Sequence, residues 1–511
     1  MTAPLEPSLF AACRRWADRP AVTFGDSTLT YADLGRGVAG LAAAYRREGI
    51  RPGDRILCQL PNSPEHLMAI NAAWAVGAVH VGTDNDLTGR ELAWLAERTG
   101  AAALLFGPHP GAEDPEAPVR AVRAAHPTTR VIGSAELAEL VGGEELDDWA
   151  PPHGPDDTSH LLLTSGTTGH PKAVMETLPA CWAKMQFFAD AFGPGPDDVH
   201  LLYLPMAHVF GMRLALLALV SGGRLVIAER FSPTGALRLV TDEQVTVLPG
   251  MPAHFTLLLD TLDVSRHRVD SLRWALSAGS TLPRTLADRI YDGLGVDLLY
   301  VYGCSENFTV QTTDRDEIRR GSVGRMVFKG PDGTPPDGTI AVLEPGGTAV
   351  LSVGEVGELA FGAARPVRYW KDPDAATDGW YRTGDLGRID ADGTVYVLGR
   401  LKELVNRGGL HVSPTEVETA VRLHPGVADA AVVGTPHPVV GEAICACVVP
   451  EATGPPPPLA ELRTFLSEVL ARHKLPDELA VVETIPRTKI GKVDRPALRA
   501  TALAGPRERW R

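Results

Sequence analysis

Amphipathic and apolar segments alternate along residues 30 to 400. Residues Ala32 to Arg47 carry apolar side chains at helical spacing, and Arg55-Ile-Leu-Cys-Gln-Leu-Pro61 reads as a strand. Helices are expected over Pro64 to Trp74 and Gly89 to Arg98, with strands at Val79-His-Val81 and Ala103-Leu-Leu-Phe106. Glycine, proline and acidic residues over Gly107 to Pro118 predict an exposed loop. Paired short strands are expected between Thr348 and Phe361. Strands alternating with helices predict an α/β fold with layered, largely parallel sheets.

The pattern changes near Gly399-Arg400-Leu401-Lys402. Beyond it the chain predicts a helix over Pro414 to Leu423, strands at Ala430 to Val433 and Ile444 to Val449, a helix over Leu459 to Arg472 and a strand at Leu479 to Val482. This stretch suits a small α+β domain of its own. The expected organisation is a large domain over 1–398, a hinge at 399–402 and a small lid domain over 403–511.

At 511 residues the chain is too long for one ordinary core. Its 49 basic and 63 acidic residues leave a net charge of −14, which argues against a nucleic-acid surface. The longest apolar stretch, Leu214 to Val220, is too short for a membrane span and reads as a core helix. The start lacks the pattern of a signal peptide. The six cysteines form no C-x-x-C pair, and Cys445 and Cys447 fall on one face of a strand. Buried thiols in a cytoplasmic protein are the expectation.

Candidate chemistry concentrates where apolar strands end. After Leu161-Leu162-Leu163 comes Thr164-Ser165-Gly166-Thr167-Thr168-Gly169-His170-Pro171-Lys172. Glycines there allow close backbone approach to an anion, hydroxyls add donors, and Lys172 adds charge. The spacing differs from that of the P-loop. After the strand Leu298 to Val301, Tyr302-Gly-Cys-Ser-Glu306 offers a ring to stack on a base and a carboxylate for magnesium. Tyr381-Arg-Thr-Gly-Asp385 presents an acid suited to ribose hydroxyls. Leu204-Pro-Met-Ala-His-Val-Phe-Gly211 sets a histidine beside apolar residues, and Pro486-Arg-Thr-Lys-Ile-Gly-Lys492 puts a lysine on a loop. Taken singly, each has a structural explanation: a core histidine, a turn cap, a core ring, a solvated lysine.

Together and in this order, the motifs resemble the acyl-adenylate-forming superfamily of acyl-CoA and aryl-CoA ligases, stand-alone adenylation enzymes and luciferase-like ligases. The resemblance covers roughly residues 30 to 498. It implies activation of a carboxylic acid with ATP and Mg2+ to an acyl-adenylate, then transfer to a thiol. By the same resemblance, Thr164, Ser165, Gly166, Thr167, Thr168, Gly169 and Lys172 wrap the phosphates, and Thr168 and Glu306 lie on the magnesium side. Tyr302 stacks on adenine beside Gly303, and Ser305 supplies a phosphate-side hydroxyl. Asp385 and Arg400 hold the ribose, and Ala278, Gly279 and Ser280 border both adenine and acid. Lys492 bridges carboxylate and α-phosphate, and Lys402 is the hinge. The acid is expected near His208, Val209, Phe210, Ala278, Gly303 and Cys304.

The chain departs from the family pattern at several places. Ala173 follows the Pro-Lys pair where glycine is usual, Ser305 replaces threonine and Glu403 replaces aspartate. The segments Gly82-Thr-Asp-Asn-Asp86 and Gly324-Arg-Met-Val-Phe-Lys-Gly330 are also unusual. No acid follows His208-Val-Phe-Gly-Met-Arg213, so an α-amino acid, whose ammonium would go unpaired, is disfavoured. Arg213 within the apolar helix is expected to snorkel outward, with contact to a polar group of the substrate as the alternative. The thiol is that of CoA, with Arg407 and its glycine neighbours as candidate phosphate contacts, or that of a carrier protein's phosphopantetheine. A homodimer remains open. A non-catalytic nucleotide-binding protein is the reading from a different class.

Overall fold

The computed structural model describes residues 5–6, 8–107, 114–141, 152–164, 171–306, 310–325, 340–362, 367–372, 380–451, 454–488 and 492–510. Three sheets organise them. One has seven strands in the order 368–369, 172–177, 158–164, 79–82, 55–59, 101–106 and 130–133. Its five strands from 158–164 to 130–133 are parallel, and the other two are antiparallel.

A second sheet has thirteen strands. Strands 20–24, 224–227, 199–202, 247–250, 274–277 and 297–302 form a parallel block. From Val310 onward the added strands are antiparallel. The expectation of largely parallel sheets thus holds for the first 300 residues. Beyond them short connections replace helical crossovers, and short connections permit only antiparallel neighbours.

The helices begin where local chemistry allows. Thr30 and Asp33 make a reciprocal capping box for the helix Tyr31–Arg47. Thr88 and Glu91 do the same for Gly89–Thr99, which ends at the left-handed Gly100. The helix Val209–Val220 is buried over nearly its whole length, as its apolar run predicts. Among the described residues, no helix is long and apolar enough to cross a membrane.

The third sheet is built from strands between Val405 and Arg509 and encloses its own apolar cores. Cys445 and Cys447 lie together in one of them, as their spacing predicts.

Three boundaries differ from the sequence reading. The helix expected over Leu459 to Arg472 ends at Leu466, where the chain turns and returns Leu475 to the core that Leu459, Leu462 and Leu466 occupy. Of the strands expected over Thr348 to Phe361, only Gly357–Gly362 forms. It pairs with Ile340–Leu343, because the chain reverses at Gly346 and returns Val350 opposite Leu343. The loop expected to Pro118 gives way at Ala117 to a helix with that proline in its first turn, where a missing N–H is harmless. Residues 108–113 of that loop lie outside the described residues.

Candidate active site

A cleft of about 1630 Å³ opens along the C-terminal ends of the parallel strands. Strand 79–82 runs into Thr83 and Asp84, strand 199–202 into the His208 segment, and strand 247–250 into Met251. Strand 274–277 delivers Ala278 and Gly279, and strand 297–302 delivers Gly303, Cys304, Ser305 and Glu306. Carboxyl ends of parallel strands are where such sheets bind ligands.

The sequence-predicted residues largely meet here. Thr164, Lys172, His208, Val209, Phe210, Asp385, Arg400, Lys402 and Lys492 all line the cleft. Thr164 and Lys172 lie opposite each other in an antiparallel pair, which pins both ends of the intervening loop. The loop residues Ser165, Gly166, Thr167, Thr168 and Gly169 lie outside the described residues. Ala173 sits buried in the strand that follows, without positive φ, so the absence of the usual glycine costs nothing there.

Two predicted residues are not in the wall. Ser280 is half-buried, and its carbonyl accepts from the Tyr300 hydroxyl at 3.4 Å. Tyr302 packs its ring against Phe361 at 6.3 Å, and its hydroxyl donates to Asp385 Oδ2 at 2.8 Å.

Asp385 stands in the strand Trp380–Ile389, just after Gly384, which takes a left-handed φ of 71°. Arg400, directly across the strand pair, reaches Asp385 Oδ1 at 2.9 Å. Burial raises the Asp385 carboxyl above the usual range, while Arg400 and Tyr302 pull it back. Lys492 arrives from the third-sheet unit and lies close enough to feel Arg400, Asp385, Glu403 and Lys402. Burial, and then Arg400, hold its ammonium below the ordinary lysine value. Glu306 accepts from the Tyr369 hydroxyl at 3.2 Å, and Lys172 lies 5.1 Å from the centre of that ring. The free oxygen chemistry of Glu306 suits a hard divalent cation.

His208 ends the segment before the helix Val209–Val220. Its Nε2 lies 2.9 Å from Asp84 Oδ1, and this hydrogen bond raises its pKa. Gly211 is required by contact: a Cβ there would stand 2.3 Å from the Pro205 carbonyl oxygen.

Arg213 overturns the outward-snorkelling expectation. It is 4% exposed and donates through Nη2 to Glu176 Oε1 at 2.5 Å. Lys184 donates to the same oxygen at 2.7 Å. A charge this deep is tolerated only when paired, and strand 172–177 supplies the partner. Arg407, a candidate for CoA phosphates, is engaged by both carboxylate oxygens of Asp477 at 2.8 and 2.7 Å.

Sequence reasoning missed Glu176 and the pairing of Asp84 with His208. Neither has a local signal, since 124 positions separate Asp84 from His208 and 37 separate Glu176 from Arg213. Tyr369 was missed for the same reason: it meets Glu306 only across the fold.

Comparison with known proteins places this geometry. The AMP-binding enzyme family matches residues 9–365, and the AMP-binding enzyme C-terminal domain matches residues 416–492. The chain is 33% identical over 526 residues to a salicylyl-CoA synthase / salicylate adenylyltransferase of Streptomyces sp, covering 97% of this chain and 93% of that protein. It is 34% identical over 528 residues to the 2-hydroxy-7-methoxy-5-methyl-1-naphthoate–CoA ligase of Streptomyces carzinostaticus, covering 97% and 92%. Among solved structures, ATP-bound MatB from Rhodopseudomonas palustris superposes with a TM-score of 0.84 at 26% identity, over 97% of this chain and 99% of that one. The chain belongs to the AMP-binding enzyme family, within the acyl-adenylate-forming ligases.

Proposed function

We propose that this protein is an ATP-dependent acid–thiol ligase that joins a non-amino carboxylic acid to CoA through an acyl-adenylate. In the first step a carboxylate oxygen of the acid attacks the α-phosphorus of ATP, and the bond to pyrophosphate breaks. In the second, the sulfur of CoA attacks the acyl carbon, AMP leaves, and the thiol proton passes to solvent. The observation that carries this reading is the presence of Lys492 in the same cleft wall as Asp385, Arg400 and Glu306, although it comes from the separate third-sheet unit.

The electrostatics fit the chemistry. Two anions about 4 Å apart repel by roughly 4 kcal/mol at an effective dielectric near 20. Lys492 is placed to offset that repulsion and to hold the charge that builds on the phosphate. Asp385 orients the ribose by accepting from its hydroxyls, and Arg400 fixes the Asp385 carboxylate for that task. Lys172 and the loop that begins at Thr164 receive the terminal phosphates. Glu306, with Thr168 by family resemblance, would hold magnesium, which supplies neutralisation of phosphate charge. The protein needs no nucleophile of its own, so its contribution is positioning and charge.

The acid lies near His208, Val209, Phe210, Ala278, Gly303 and Cys304. An α-amino acid fits poorly, because the first turn of the helix after His208 carries no acidic residue to pair with an ammonium. The small unit from residue 403 turns about Lys402 between the two steps. Lys402 sits in the short helix Leu401–Glu403 between the two sets of cores.

One relative, from Bacillus subtilis, is named a 2,3-dihydroxybenzoate-AMP ligase, without CoA. It favours a second reading in which the acyl group is loaded onto a carrier protein's phosphopantetheine. Mass spectrometry of reactions holding ATP, magnesium and a panel of acids, each with and without CoA, tests both. Acyl-CoA from one acid class supports the first reading. Acid-dependent AMP without acyl-CoA supports the second, and no acid-dependent AMP contradicts both.

A further inference from the structure

The strand Arg55–Gln59, the helix Pro64–Ala75 and the strand Val79–Gly82 follow one another in the chain and bring three ligating side chains together in the interior. In the register of the two parallel strands Ile56 stands opposite His80. Cys58, two residues further on, therefore shares a face with His80. The Ser63 hydroxyl caps the intervening helix by accepting from the His66 N–H, which fixes His66 in its first turn. Cys58 and His66 are fully buried, and His80 is 3% exposed. Each of the three offers one ligand atom, and these atoms all lie within 4.8 Å of one another. The two imidazole rings stand 6.1 Å apart, centre to centre.

The hydrogen bonding of this cluster is unfinished. His66 Nδ1 donates to the Pro61 carbonyl at 3.2 Å, which leaves Nε2 as the nitrogen with a free lone pair. A ring anchored to a carbonyl through its other N–H is the usual posture of a metal-ligating histidine. His66 Nε2 and His80 Nε2 are both buried with no partner among the described residues. So is the hydroxyl of Tyr45, which is fully buried and close enough to Cys58 for their charges to interact. Polar atoms left unmet in the interior are costly. Burial holds His66 at about 4 and His80 well below the ordinary histidine value, so both rings are neutral at pH 7. A second cluster, His160, Glu176 and Cys181, has similar spacing. There Arg213 and Lys184 already neutralise Glu176 and would repel a further cation.

We infer that Cys58, His66 and His80 form a binding site for a soft monovalent cation, Cu+, held by one thiolate and two neutral imidazoles. Thiolate and imidazole are the ligands that such an ion selects. On binding, the Cys58 S–H bond breaks, a sulfur–metal bond forms and the proton passes to solvent. Coordination thereby removes the proton that burial otherwise holds on the thiol. The charges of thiolate and Cu+ then cancel, as a fully buried site requires. Zn2+ would leave one positive charge uncompensated and would need a fourth ligand. Tyr45 is a positioning residue, its hydroxyl donating to the thiolate sulfur. The bound ion ties both strands to the helix, one residue chain-wise from Thr83 at the cleft, whose N–H and hydroxyl donate to the Cys58 carbonyl.

Because the ligands are buried, the ion must enter as the chain folds. The whole protein is therefore produced in medium with added copper, and separately with added zinc, then passed anaerobically over a chelating resin. Copper should remain in equimolar amount by elemental mass spectrometry. X-ray absorption should show a single sulfur at the metal, with nitrogen completing the set. The copper-loaded protein should melt at a higher temperature than the copper-free protein. Cys58→Ala should lose the copper and the rise in melting temperature. Cys445→Ala, which breaks the neighbouring pair Cys445 and Cys447, should keep both. Tyr45→Phe removes only an oxygen, and it should weaken copper about 10-fold or more against the chelator bicinchoninate. This variant decides the matter if Cys58→Ala does not fold. Copper retained equally by Cys58→Ala, unchanged affinity in Tyr45→Phe, more than a single sulfur at the metal, zinc retained in place of copper, or no metal retained at all would overturn the inference.

Discussion

Two buried carboxylates, Asp385 in the cleft wall and Glu176 paired with Arg213, have surroundings that treat them in opposite ways. Asp385 is 7% exposed and shared between one arginine, itself substantially exposed, and the neutral hydroxyl of Tyr302. Its pKa is raised by burial. Glu176 is 4% exposed and receives two cations on a single oxygen, which hold its pKa at about 2. Burial is nearly equal, so the difference is the number of cations in contact. The under-compensated Asp385 has acceptor capacity left, as its proposed ribose role requires. Glu176 is held by both cations on Oε1, while its buried Oε2 has no partner among the described residues.

The largest effect should come from breaking the overcompensated end. Glu176→Leu leaves the Arg213 cation buried beside an apolar side chain and should destabilise the fold by about 3 to 5 kcal/mol, read from denaturant unfolding. The linkage has a matching sign. A carboxyl lowered from 4.5 to about 2 stabilises the native state above pH 4.5 and loses that contribution as pH falls through about 2. The double change of Glu176→Gln with Arg213→Met should recover only part of the loss, because Lys184, which shares the same Glu176 oxygen, is left without its carboxylate.

Next in size is Lys492→Ala. Acid-dependent pyrophosphate release should fall about 10²- to 10³-fold, the cost of removing one preorganised electrostatic partner. Thioester formation from pre-formed acyl-adenylate should be spared, and equal loss of both steps would contradict the bridging role.

Asp385→Asn sharpens the comparison from the other end. It should raise the KM for ATP by about 10-fold or more, through weaker acceptance from ribose hydroxyls. Stability should hold or rise at neutral pH. An acid whose folded pKa is raised favours the native state only while protonated, and ionisation as pH rises removes that contribution. A marked fall in melting temperature would show that Asp385 is a structural residue like Glu176.

The smallest effect is at the cleft mouth. Asp84→Asn should lower the His208 titration midpoint toward that of an ordinary histidine, as followed by NMR of the imidazole. The His208–Asp84 pair stabilises the native state at low pH, and that contribution fades as pH rises through the raised His208 pKa. An unchanged midpoint would place the source of the shift elsewhere.

Much of the site was legible because its residues sit at strand ends in short motifs. Residues 303–306 follow one strand, 278–279 another and 208–210 a third, so local sequence order carried them into one wall. Tyr302 shows the limit of that reasoning: its motif was recognisable, but its ring turned to Phe361 and its hydroxyl to Asp385. Arg213 shows another. An arginine in an apolar helix reads as surface-seeking until its partner is known, and the partner lies on a strand 37 positions away. Arg407 likewise seemed available for phosphate until Asp477 closed on it.

The sequence by itself determined the periodic elements, the parallel order of the first 300 residues, the separate C-terminal unit and the set of reactive groups at strand ends. These follow from side-chain periodicity and local turn chemistry, which act over a few residues. Tertiary structure alone decided which charges are matched. How many cations contact Asp385 and Glu176, and whether Arg213 is exposed or buried, depend on distances between remote segments. In a low-dielectric interior a few ångströms of separation set the sign and size of such interactions, and only the assembled fold fixes those distances.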